Sequence, residues 1–353
     1  MKLDEAIERI VLPDEKYEKK AALRLNEQAR PNGSLGMLED TAIRLAGIAG
    51  SLDVRLDKKV IVTCAGDHGV VDEGVSLFPR EVTAQMVYNF VDGGASINVL
   101  ARHAGASVRA ADLGVDHDFD PHLPIFHRKI AKGTGNIRRE KAMSRQQAVD
   151  SIEAGILIAR ELAENPGVNL LGTGDMGIGN TTPSSAVIAA FSGIEPEKLT
   201  GRGTGIDDET FSHKVRVITD ALELHKPDPQ DPLDVLAKVG GFEIGGLAGL
   251  VLGAAALKIP VVCDGLIATA GALIACDLAP AAKSCLFTSH KSLEAGHRFM
   301  IERLGIEPLL DLKLRLGEGT GAALAMEIMD ASTRVLAEIR TFEEVSIRNA
   351  QKK

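Results

Sequence analysis

The sequence predicts an α/β fold: a Rossmann-like parallel sheet with helices on both faces, plus a small helical domain made from the two chain ends. Three observations predict it. Short apolar, β-branched runs alternate with longer helical patterns, the signature of strands joined by crossover helices. The runs are continuously apolar, as in strands buried on both faces. Nearly every run ends in a loop of Gly and small polar residues, at 65–69, 172–182, 264–265 and 288–290. Open α/β sheets bind ligands at that end of their strands.

The elements follow in order. Asp14 to Asn26 is charged and amphipathic, and Leu35, Leu38, Ala42, Leu45 and Ala46 recur at helical spacing beyond an Arg30-Pro31-Asn32-Gly33-Ser34 break. Val60 to Cys64 reads as a buried strand, and helical patterns follow near 80–91 and 95–105. Ser107 to Leu113 reads as a strand, 115–137 as irregular and 145–164 as a helix. Val168 to Leu171 reads as a strand running into a Gly-rich loop, with a helix after Thr182. Residues 208–225 and 231–238 are helical, and the uncharged run Ile244 to Leu257 reads as a buried helix. Ile259 to Cys263 is a strand followed by a second buried helix, Ser284 to Thr288 is a strand, and a last helix starts after Gly319. The expected division is a large catalytic domain over 40–325 and a small helical domain from 1–39 with 326–353.

Composition narrows the function. The 353 residues include no Trp and only 3% aromatics, so Ala, Leu, Ile and Val must fill the core. A net charge of −9 offers no basic footprint for nucleic acid or anionic lipid. Ile244 to Leu257 is too short to span a bilayer, and the N-terminus alternates charged and apolar residues, unlike a signal peptide. Cys64, Cys263, Cys276 and Cys285 form no CxxC pair and read as buried, reduced thiols. A cytoplasmic protein without nucleic-acid or membrane partners and without a metal is the expectation.

Three loops carry candidate chemistry. Gly172 to Thr182 follows a strand and precedes a helix; its glycines allow close backbone approach, and free N–H groups at a helix start favour an anion. Residues 172–177 match GxGxxG, but the nearest acidic residues at the required distance, Glu195 and Glu197, sit in a Pro-containing turn. Phosphate binding is therefore preferred over dinucleotide binding, with a structural turn as the plain alternative. Thr200 to Glu209 is either a capped helix start or a second phosphate loop contacting through its backbone and Arg202. Leu314 to Gly321 places Glu318 between glycines ahead of a helix, where Asp or Ser would cap better. A partly desolvated Glu there can serve as a base, and an exposed loop Glu is the alternative. Asp67-His68 and Ser289-His290 read first as hydrogen-bonded structural pairs, then as a base or ligand.

Seven segments together resemble one family. They are Arg30 to Gly36, Ala65 to Val70, Glu81 to Val87, Met176 to Thr182, Gly201 to Gly205, Val239 to Ile244 and Leu316 to Gly321, in the family's order. The chain is similar to nicotinate-nucleotide–dimethylbenzimidazole phosphoribosyltransferases. The resemblance implies a homodimer whose active site is completed by the neighbouring subunit. It implies transfer of ribosyl phosphate from nicotinate mononucleotide to a benzimidazole-type base, with no cofactor. It makes Glu318 the catalytic base, supported by Asp175. It assigns nucleotide binding to Gly177, Gly179, Asn180, Thr181, Thr182, Gly201, Arg202, Gly203, Thr204, Lys214 and Gly319, and base binding to Ser76, Phe78, Pro79 and Gln85. Two positions depart from the family. Asp175 stands where Glu is usual, and Phe78 where a Tyr is common. The rival readings are the same transfer to a phenol or purine, a nucleotide-binding protein without catalysis, and an NAD-dependent oxidoreductase.

Overall fold

The computed structural model describes residues 1–203 and 205–348. Among them, six strands form one parallel sheet: β1 (Lys59–Gly66), β2 (Ala106–Gly114), β3 (Phe126–His127), β4 (Leu170–Met176), β5 (Val261–Cys263) and β6 (Leu286–Thr288). Their spatial order is β3-β2-β1-β4-β5-β6. The chain winds outward from β1 to β3, returns, and winds outward again from β4 to β6. The order therefore reverses between β1 and β4, where Val60 lies beside Leu171. A crevice opens at such a reversal, beyond the carboxyl ends of the strands.

Helices α1 (Leu3–Arg9), α2 (Glu15–Glu27) and α3 (Met37–Ala49) precede the sheet. Helices α4 (Val82–Asp92) and α5 (Ser96–His103) lead to β2, and α6 (Arg145–Glu164) leads to β4. Between β4 and β5 run α7 (Thr181–Ser192), α8 (Pro196–Leu199), α9 (Asp208–His225), α10 (Pro232–Val239) and α11 (Phe242–Ala256). Helix α12 (Leu266–Leu278) joins β5 to β6, and α13 (Ala295–Leu304) and α14 (Thr320–Glu338) follow. Local chemistry explains their ends. Ser144 and Gln147 form a capping box on α6, and Asp207 accepts from the Thr210 N–H at the start of α9. Asp231 with Pro232 at the first turn starts α10.

Helix α11 is buried nearly throughout and packs on α6, α12 and the sheet. Helices α14 and α5 pack together and cover β4 and β2. The chain ends meet where Ala21, Leu25, Ala42, Ala46 and Leu336 form a separate apolar cluster. There Gln28 Nε2 donates to the Val335 carbonyl at 2.6 Å.

Three features differ from the sequence reading. Strand β4 continues through Gly172 and Gly174 to Met176, where a loop was expected. Those glycines leave room for neighbours. A Cβ on Gly172 would lie 2.8 Å from Met326 Cε, and one on Gly174 only 2.2 Å from the Glu318 carbonyl oxygen. The two-residue β3 lies within 115–137, expected to be irregular, and α13 was not anticipated. The four cysteines are buried and free, as expected. No helix among the described residues is long and apolar enough to cross a membrane.

Candidate active site

A cavity of about 510 Å³ opens at the carboxyl ends of β4, β5 and β6. Its wall includes Ser76 and Phe78, the run Asp175 to Thr181, Gly203, His290, Glu294 and Arg315 to Glu318. These segments are far apart in sequence and meet because each follows a strand or precedes a helix that the sheet aligns.

Glu318 is the central carboxylate. Its φ is +64°, between Gly317 at +87° and Gly319 at +99°. A non-glycine residue there costs about 1–2 kcal/mol, so surrounding contacts must hold it. The Thr63 hydroxyl donates to its carbonyl oxygen at 3.0 Å, and the Ile97 N–H donates to its Oε2 at 3.3 Å. Glu318 is 7% exposed, and burial raises its pKa above the ordinary glutamate value.

Asp175 lies at the end of β4. Its Oδ2 accepts from Asn180 Nδ2 at 2.9 Å, while its Oδ1 is buried without a hydrogen-bond partner. Burial, then the charges of Asp264, Glu243 and Glu318, raise its pKa well above the usual aspartate value. Carboxylates this close and this dry resist ionising together.

The opposite end of the cavity is built on the start of α7. Gly177 has no room for a side chain, since a Cβ would sit 2.4 Å from the Gly66 carbonyl oxygen. Gly179 has φ +84°, which turns the chain into α7. Lys214, almost wholly buried on α9, donates from Nζ to the Thr181 hydroxyl at 2.6 Å. Burial lowers its pKa to about 8. Gly203 joins this end, its carbonyl accepting from Arg315 Nη1 at 2.9 Å.

The remaining candidates are placed differently. Gly319 starts α14 behind Glu318. Thr182 is buried in α7, and Gly201 packs against Glu294. Arg202 turns away from the cavity; it pairs with Asp208 and donates to the Ile206 carbonyl at 2.9 Å. Pro79 and Gln85 line a second hollow with Arg80, Tyr88 and Asp116. Thr204 lies outside the described residues. His68 is a structural pair member, but its Nε2 meets Glu243 Oε1 at 2.9 Å, while Asp67 Oδ2 accepts from the Asp116 N–H.

The site also holds residues outside the candidate set: His290, which the sequence reads first as a structural partner of Ser289 and whose Nδ1 does meet the Ser289 hydroxyl at 2.9 Å, and two residues the sequence does not single out. His290 Nε2 and Glu294 Oε2 are buried without partners on residues that line the cavity. Arg315 lay within the motif around Glu318 but was passed over. For Glu294 and Arg315 the only sequence signal is position just beyond a strand or beside a chosen residue.

This geometry agrees with comparisons against known proteins. A family model described as Phosphoribosyltransferase matches residues 10–347, which sets the class of enzyme. The nicotinate-nucleotide–dimethylbenzimidazole phosphoribosyltransferase of Geobacter sp. (strain M21) is 56% identical, covering 98% of this chain and 99% of the relative. That of Syntrophobacter fumaroxidans is 57% identical, covering 98% of each. The crystal structure of the Thermus thermophilus enzyme of that name superposes with a TM-score of 0.90 at 41% identity, covering 96% of this chain and all of the other. The chain belongs to the nicotinate-nucleotide–dimethylbenzimidazole phosphoribosyltransferase family.

Proposed function

We propose that this enzyme transfers the 5-phosphoribosyl group of nicotinate mononucleotide to 5,6-dimethylbenzimidazole or a related base. The products are an α-ribazole phosphate and nicotinate, for assembly of the cobalamin nucleotide loop. One observation carries the mechanism. Glu318 is held half-dry on the wall of the cavity that also contains the Gly177–Thr181 and Gly203 anion cradle.

The donor's pyridinium nitrogen already bears positive charge. When its bond to ribose C1′ breaks, the electron pair returns to the ring and nicotinate leaves without an acid catalyst. The acceptor's lone-pair nitrogen attacks C1′ from the opposite face, which inverts that carbon and gives the α-product. Positive charge then builds on the benzimidazole, and Glu318 removes the remaining N–H proton. The Ile178, Asn180 and Thr182 N–H groups are spent inside the protein, so those of Gly179 and Thr181, with Lys214, hold the phosphate, and Asp175 and Asn180 orient the ribose. Ser76 and Phe78 flank the acceptor.

We take the enzyme to be a cytoplasmic homodimer. The half-exposed Phe78 and Leu316 on the cavity wall offer an apolar rim for a neighbouring subunit. We also treat residues 1–39 with 326–353, of which 349–353 lie outside the described residues, as a small helical unit apart from 40–325. The test is to supply nicotinate mononucleotide with a panel of benzimidazoles, purines and phenols and identify products by mass. An α-ribazole phosphate with stoichiometric nicotinate supports the reading. Donor binding without nicotinate release overturns it.

A further inference from the structure

We propose that Asp264, at the carboxyl end of β5, is the positioning residue that sets the Glu318 loop. This rests on Glu318 being the base. Asp264 is fully buried and not part of the cavity wall. Both of its carboxylate oxygens accept hydrogen bonds from one target, while Oδ1 also lies 3.7 Å from His290 Nδ1. Oδ2 accepts from the Gly319 N–H at 2.9 Å, and Oδ1 accepts from the N–H groups of Gly321 at 2.8 Å and Ala322 at 3.1 Å. These are the otherwise unpaired donors at the start of α14. Asp264 therefore caps that helix from 55 residues away, where the helix's own N-cap is a glycine.

The cap has a consequence beyond helix stability. The three residues before and at the helix start, Gly317 to Gly319, all have positive φ. A glutamate in the middle of such a run stays there only if its backbone is pinned. The Glu318–Gly319 peptide group is held at both edges: the Thr63 hydroxyl and the close approach of Gly174 hold its carbonyl. Asp264 holds its N–H. Released from it, Glu318 returns to negative φ and its carboxylate swings off the Ile97 N–H that aims it. Asp264 is itself braced, since the Ser289 hydroxyl donates to its carbonyl oxygen at 3.2 Å. With its oxygens spent on backbone donors, Asp264 does not take the substrate's proton; it acts through Glu318.

Asp264→Asn keeps the shape but turns an amide N–H₂ toward one backbone N–H. The expected result is a fall in kcat of about 10²-fold, the effect of misplacing a catalytic group by ~1 Å, with the donor KM within about threefold of wild type. The decisive measurement is a double-mutant cycle with Glu318→Gln. If Asp264 acts through Glu318, adding Asp264→Asn to Glu318→Gln lowers kcat by less than about threefold. Losses that multiply, or a donor KM that rises with kcat unchanged, overturn the inference. Wild-type kcat in Asp264→Asn also overturns it while leaving the base reading intact, whereas wild-type kcat in Glu318→Gln sinks the base reading itself. Should Asp264→Asn fail to fold, Thr63→Val removes the hold on the other edge of the same peptide group. It is expected to lower kcat by a smaller factor that also disappears in the Glu318→Gln background; a loss that persists there counts against the clamp.

Discussion

Two places in this molecule are crowded with glycine, for opposite reasons. Where α6 crosses α11, glycine supplies room. A Cβ on Gly155 would lie 2.0 Å from the Gly246 carbonyl oxygen, and one on Gly249 1.9 Å from that of Ile152. Nothing there has unusual backbone angles; two helix backbones simply touch. In the Gly317–Gly319 loop glycine supplies conformation, since both residues have φ near +90°. The first set lets helices pack, and the second shapes the loop that carries Glu318. Composition counts them alike, so substitutions must tell them apart.

The largest expected effect lies in the loop. Glu318→Gln keeps the shape and removes the base, so turnover should fall by about 10²–10⁴ while donor affinity and the thermal midpoint stay near wild type. Stopped or quenched assays of nicotinate release, alongside calorimetry, measure both. An equal loss of stability would place Glu318 with the packing residues. The acid limb of the wild-type pH–kcat/KM profile should also lie above the range of an ordinary glutamate, because burial raises its pKa.

Paired glycine substitutions come next. Gly249→Ala should lower stability by about 1–3 kcal/mol, read as a shifted urea midpoint, with activity per folded molecule unchanged. Gly317→Ala forces an alanine to φ +87°, with its Cβ only 3.1 Å from Asp175 Oδ1. It should cost up to about 10²-fold in kcat, with a smaller loss of stability than Gly249→Ala. The reverse pattern would break the distinction.

A third test concerns the far end of the cavity. Lys214 titrates at about 8 because burial disfavours its charge. Below that pH the free enzyme offers a charged ammonium to the donor phosphate; above it the lysine is neutral until phosphate binding recharges it. The donor KM should therefore climb by up to tenfold per pH unit above about 8. Lys214→Met should flatten that climb and weaken the donor at lower pH. A slope that survives in Lys214→Met would assign it to another group.

The sequence made most of this legible, and its failures have physical causes. Helices α6 and α9 were readable to the residue because Ser144 and Asp207 cap them locally. Glu318, Asp175 and the Gly177–Thr181 turn stood out because glycine flanking a polar residue is rare without a reason. Strand β4 was cut short because glycine reads as a loop, although Gly172 and Gly174 are small only to admit α14 and its entry loop. The family resemblance groups Gln85 with Ser76 in one base pocket. The chain enters α4 between them, and helical periodicity turns Gln85 toward the second hollow. Arg202 looked like a phosphate ligand, and its own neighbour Asp208 takes it. Asp264 was invisible as a cap because its partners begin 55 residues later.

The smallest expected effect sharpens the comparison between fixed and adaptable parts of the site. Phe78 is 51% exposed and lines the same cavity as Glu318, which is 7% exposed. A dry, over-determined carboxylate has one position, whereas a half-solvated ring can shift. Phe78→Tyr adds a hydroxyl that can bond water as readily as an acceptor, so its net value is about 0.5 kcal/mol, or about twofold in the acceptor KM. The donor KM should not move, because the phosphate cradle lies on other segments. Competition between 5,6-dimethylbenzimidazole and a hydroxylated benzimidazole in one reaction measures the change directly. A shift in preference beyond about tenfold would mean that the ring is buried against the acceptor when the site is filled.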